Sequence, residues 1–132
     1  MEDMNADYEE LKRLEEYVRE LNMESGKIQE KSQEINNTKE SLEALSNKGK
    51  GKESLLPIAD GIFVRCDIKD PSNVLINVGS GTIVEKKIDE AKDMLDKQLQ
   101  ELEEYNERII AEMSKTDEKA FKIQERLLKP EK

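Results

Sequence analysis

Three stretches carry residue types that could do chemistry: Gly79-Ser80-Gly81 after the apolar run "NVLINV", the segment "GKGKES" at 49–54, and the carboxylates Glu101, Glu103 and Glu104. Backbone N–H groups of a glycine loop can cradle phosphate. A dinucleotide loop, however, needs a third glycine after two further residues and a helix opening there. Here Gly81 is followed by Thr82-Ile83-Val84, a β-branched run that favours a strand. A phosphate loop of the Gly-Lys-Ser/Thr kind fails at 49–54, where Glu53 follows Lys52 in place of the hydroxyl residue. The glycines Gly61, Gly79 and Gly81 are read as turn formers instead, at positions a Cβ would disfavour. The clustered glutamates are read as the solvated face of a helix. Cys66 is read as a small apolar group on a strand rather than a reactive thiol.

Composition narrows the choice further. Of 132 residues 40% are charged and 4% aromatic, with no Trp and no His. The usual acid–base group at neutral pH is therefore missing, as are most His-bearing metal sites. No catalytic constellation, metal site or cofactor is expected, and the chain is not read as an enzyme. A single Cys excludes an internal disulfide framework and suits a reducing, cytoplasmic setting. No apolar run approaches the roughly 20 residues needed to span a bilayer, so no membrane role is expected. The acidic N-terminus "MEDMNADYEE" is not a signal peptide. Net charge is −9, distributed as −7 over residues 1–47, +2 over 48–87 and −4 over 88–132. Phosphate backbones would repel such arms, which argues against nucleic acid.

The elements that position these residues follow from periodicity. Leu14, Leu21, Ile28, Ile35 and Leu42 recur every seven residues. The companion column begins Met4, Leu11, Val18 and turns polar at Ser25, Ser32 and Lys39. In the other flank Ile88, Leu95, Leu102, Ile109 and Ile123 form one column, interrupted by Thr116. Lys92, Leu99, Asn106, Met113, Ala120 and Leu127 form the second. Each flank is thus a helix with one apolar seam, roughly 63 Å long at about 1.5 Å per residue. The polar members are expected to weaken the seam. Asn47 with Gly49, and Pro130, act as terminators.

Between the flanks the period changes to two. "SLLPIADG", "IFVRCDIK", "NVLINVGSG" and "TIVEKKI" read as four short strands, with Asp60-Gly61, Asp70-Pro71-Ser72-Asn73 and Gly79-Ser80-Gly81 as turns. One face carries Ile62, Val64, Cys66 and Ile68 in the second strand, and Val74, Ile76 and Val78 in the third. The expected fold is α+β: a long antiparallel two-helix coiled coil (1–47 and 88–129) with two central β-hairpins (53–87), forming one domain. The hairpins are too apolar for a small sheet wet on both faces, and their open edges are templates for pairing. The expected solution is a sheet or barrel shared between subunits, through Leu55, Leu56, Ile58, Ile62, Phe63, Val64, Val74, Ile76, Val78 and Ile83.

At this point the chain resembles the prefoldin family, in particular the alpha-type subunit of the archaeal form, over essentially its whole length. The resemblance is carried by "LLPIADGIFV" at 55–64, "NVLINVGSG" at 73–81 and "VEKKIDEA" at 84–91. Leu56, Pro57, Ile58, Gly61, Phe63, Val78, Gly79, Gly81, Glu85, Asp89, Glu90 and Ala91 fall where the family pattern places them. Ala59 stands where glycine is usual, and Lys87 where a capping serine is common. The resemblance implies a hexamer of two alpha-type and four beta-type subunits, joined by a double β-barrel platform bearing six coiled-coil arms. It also implies an ATP-independent holdase that delivers unfolded proteins to a group II chaperonin. Apolar residues not used by the seam would then mark client contacts at the arm tips. Phe121 and Leu128 lie one position after the second column, beside the N-terminal Met4, Tyr8, Leu11 and Tyr17. Met23, Met94 and Ile110 are similar but more scattered. The competing reading is a structural filament or tether subunit that uses the same hairpins for self-assembly.

Overall fold

The computed structural model describes residues 2–48 and 53–129. Residues 49–52, which include most of the "GKGKES" segment and the terminator Gly49, lie outside them, as does Pro130. The element order is α1 (Glu2–Lys48), β1 (Glu53–Ala59), β2 (Ile62–Asp67), β3 (Asn73–Gly79), β4 (Thr82–Lys87) and α2 (Ile88–Leu128). The chain divides into two compact units. One, here the helical unit, combines residues 1–33 with 100–132, and the other, the hairpin unit, comprises 34–99.

In the helical unit the two helices run antiparallel. Arg126 is paired with Asp7 at 2.9 Å, Tyr17 donates to Glu112 at a long 3.5 Å, and Tyr105 donates to Glu24. The seven-residue columns are the buried ones: Leu21, Ile28 and Ile109 form the core, with Leu102 and Met113 packed against it. Ala120 and Ile123 continue it.

The polar seam members behave better than their types suggest. Ser25 is buried, and its hydroxyl donates to Oδ1 of Asn106 across the helix pair at 2.7 Å. Thr116 is 3% exposed, with its Oγ1 donating to the Glu112 carbonyl 2.8 Å away in its own helix. Neither leaves an orphaned polar atom. The Ser25–Asn106 bond also fixes the stagger of the helices, because a slip of one turn would strand both groups in apolar surroundings. Asn106→Ala is expected to cost about 1–2 kcal/mol, from a lost bond and a small cavity. Pairing Ser25→Ala with Asn106→Leu should restore or exceed native stability. Thermal unfolding followed by circular dichroism measures both, and a single variant as stable as the parent would show that the bond contributes nothing.

In the hairpin unit the ends of α1 and α2 are again antiparallel, tied by Lys39–Asp96 and by Lys92–Glu43 at 3.6 Å. Asp89 and Glu90 place negative charge in the first turn of α2, where the helix dipole favours it. The Ile88 amide donates to the Ser72 carbonyl at 3.0 Å, which anchors the start of α2 to the inter-hairpin turn. In that turn the Asp70 side chain accepts from the Ser72 amide and from the Asn73 amide group.

The strands form two separate two-stranded antiparallel sheets, β1–β2 and β3–β4. Each has an irregularity just before its turn, leaving Ile58 and Val78 as extra residues in the ladder. The Ser80-Gly81 turn has φ of +51° and +75°, so both central residues are left-handed, as a tight two-residue hairpin of type I′ requires. Gly79 enters it at φ +116°, its amide donating to Asn77 Oδ1 at 3.0 Å. The G-S-G triplet is hairpin geometry.

Candidate interaction surfaces

Alternation decides what the β3–β4 hairpin shows to solvent, whereas the β1–β2 hairpin is exposed along most of both strands. In the second hairpin Val74, Ile76, Val84 and Lys86 are half-buried on one face. Val74 and Ile76 line an open cleft of about 450 Å³ with Leu42, Ala91, Met94 and Leu95 of the same unit. The opposite face carries Leu75, Asn77, Ile83 and Glu85, all exposed, with Leu75 at 73%. In the first hairpin Cys66 and Ile68 are half-buried. They line a cleft of about 470 Å³ with Leu42, Leu45 and Leu56. Leu55, Leu56, Ile58, Ile62, Phe63 and Val64 are exposed.

Exposure sorts these residues in three ways that the strand pattern does not show. Val74 and Ile76, placed with the subunit-joining residues, are half-covered by this chain's own helices. Leu75, left out of that set, is open. A strand reading "VLINV" is apolar on both faces, so its pattern does not say which face turns inward. Val78 does not share the burial of Val74 and Ile76, because the irregularity beside it breaks the two-residue period.

The residues expected at the arm tips also separate. At about 100° per residue, Tyr17, Glu24, Tyr105 and Glu112, which bond across the helix pair, all project from one flank of it. Met4, Tyr8, Phe121 and Leu128 project from the other, and all four are exposed. Leu11 is half-buried at the edge of the seam on that side. Tyr17 does not join them. Its phenol is held above its ordinary pKa by partial desolvation and then by the Glu112 carboxylate. Tyr105, hydrogen-bonded to Glu24, is raised in the same direction, with Arg108 over its ring at 5.8 Å opposing the shift. Ile110, read as a scattered residue, falls in line with Phe121 and Leu128. The eleven- and seven-residue spacings bring all three within about 20° of one another on the helix surface. That alignment was available to a helical projection, but the flank it belongs to depends on which residues meet the other helix.

Among the described residues no group of three or more His, Cys, Asp or Glu side chains is placed to hold a metal ion. No helix among them is long and apolar enough to cross a membrane.

Comparison with known proteins is consistent across sequence and fold. The prefoldin subunit family model matches residues 14–130. The prefoldin subunit alpha of Thermofilum pendens is 34% identical over 107 residues, covering 81% of this chain and 83% of its own. The prefoldin subunit alpha 2 of Thermococcus kodakarensis is 33% identical over 96 residues, covering 69% and 66%. Among solved structures, a filamentous PFD from Methanocaldococcus jannaschii, determined by cryo-EM, superposes with a TM-score of 0.81. It does so at 17% identity, over 90% of this chain and 98% of that one, a likeness of fold. With two long helices, two small hairpins and a family match over most of its length, the chain belongs to the prefoldin family of chaperone subunits and groups with the alpha-type members.

Proposed function

We propose that this chain is the alpha-type subunit of a cytoplasmic hetero-hexamer, two alpha with four beta-type subunits, that holds unfolded polypeptides without ATP. The observation that carries the reading is the division of exposed apolar side chains between two places. One set lies on the hairpins, on strands with open edges, where a neighbouring subunit can complete a shared barrel platform. The other lies on the helical unit at Met4, Tyr8, Ile110, Phe121 and Leu128, on a flank the helix pairing leaves open. A surface of adaptable apolar side chains suits unfolded chains of many sequences, each contact weak on its own. Passage of the held chain to a group II chaperonin completes the role, with neither nucleic acid nor membrane as partner. The filament or tether reading draws on the fold shared with the M. jannaschii protein, and it assigns no task to the helical strip.

Native mass measurement of the chain mixed with a beta-type subunit tests the assembly, with light scattering of a diluted, denatured client run alongside in the absence of nucleotide. A defined hexamer that slows client aggregation is expected. An open-ended ladder of masses would favour the filament. A hexamer that leaves aggregation untouched would end the holdase reading.

A further inference from the structure

The charges around the exposed strip on α2 are sorted by sign. Between residues 103 and 128 the flank that carries Ile110, Phe121 and Leu128 also carries Glu103, Glu107, Asp117 and Glu125, and no Lys or Arg. All four carboxylates are exposed, and none is in an ion pair among the described residues. The bases of the same stretch, Arg108, Lys115, Lys119, Lys122 and Arg126, all project from the opposite flank. That is the flank where Arg126 meets Asp7 and where the two tyrosines bond to glutamates. On α1 the same flank carries Met4, Tyr8 and Glu15, together with Lys12 and Arg19 at about the same angle from the seam as Phe121 and Leu128. Carboxylates thus outnumber bases on the whole flank by five to two.

We infer that this acid-framed apolar strip selects, among unfolded chains, segments in which bulky apolar residues are flanked by Lys or Arg. The inference rests on the holdase reading and names the class of client that this subunit prefers. Ile110, Phe121 and Leu128 are 53%, 59% and 84% exposed, so they offer the apolar contact. The carboxylates beside them add attraction for a cationic neighbour and repulsion for an anionic one. Each exposed pair contributes little, but several of one sign act together over the roughly 10 Å screening length of 0.1 M salt. Acidic segments of equal hydrophobicity are rejected by the same groups, so the device sets choice more than strength.

The test uses fluorescein-labelled peptides sharing one Leu/Phe core, flanked on both sides by two Lys, two Ser or two Glu. Their binding to the assembled complex with a beta-type subunit is followed by fluorescence anisotropy. At low salt the Lys-flanked peptide is expected to bind roughly tenfold more tightly than the Glu-flanked one, with Ser between. The gap should shrink to about twofold or less at 0.5 M salt. Combining Glu103→Lys, Asp117→Lys and Glu125→Lys should reverse the order while leaving the assembled mass unchanged. Equal binding of all three peptides, or a preference untouched by the triple variant, overturns the inference and leaves the holdase standing. Failure of every peptide to bind an intact complex overturns the holdase reading itself.

Discussion

A chain carrying Phe63→Glu and Ile83→Glu is expected to lose its place in any oligomer and to run as a single subunit by native mass. Each substitution falls on a different hairpin, on a side chain 57% and 61% exposed in the isolated chain. Neither residue lines the clefts beneath the hairpins, so helix content and the seam should be unchanged. At a shared barrel both would be buried. Losing a large apolar side chain forfeits about 1.5–3 kcal/mol, and an unpaired carboxylate adds a desolvation cost. Two such sites amount to at least about 4 kcal/mol, or roughly a thousandfold in association. An unaltered oligomer with intact circular dichroism would show that assembly runs through some other surface.

The second large effect concerns the helical strip. An assembled complex in which this chain carries Phe121→Ser and Leu128→Ser is expected to suppress client aggregation several-fold less well. Both side chains stand clear of the seam, so stability should stay within about 0.5 kcal/mol of the parent. Loss of their apolar contact removes about 2–3 kcal/mol from client binding, because a mobile client covers each side chain only partly. Tyr17→Ser, on the opposite flank, should do far less. Undiminished suppression by the double variant would remove the strip from the client site, and an equal loss on Tyr17→Ser would make the site nonspecific to that flank.

Much of this architecture is legible before any coordinates. The seam shows itself because a residue every seven positions returns to the same line on a helix, and the buried residues Leu21, Ile28, Ile35, Ile109 and Ile123 all belong to those columns. The hairpins show themselves because Asp60-Gly61 and Ser80-Gly81 interrupt β-branched runs. What escapes the sequence is anything set by stagger. Ser25 and Asn106 each look like a flaw in a seam, and nothing local says that the antiparallel register brings them within 2.7 Å. Tyr17 and Phe121 both sit near chain ends, so their assignment to opposite flanks needs the contacts of Glu112 and Glu24 with the facing helix. The extra residue at Val78 is invisible for a related reason. A strand's alternation predicts faces only while its ladder stays in step. The functional surfaces suffer most from this, since a binding surface is defined by what its own chain leaves uncovered.

The seven-residue recurrence through the helical unit makes its length a quantised property. Blocks of seven taken from both rods at facing levels, for instance 12–18 and 112–118, would splice the remaining knobs back into line. A block of three or four would rotate everything beyond the splice and turn greasy residues toward water. Relatives whose rods differ in length are therefore expected to differ by whole repeats, and a designer wanting longer or shorter rods has the same ruler available.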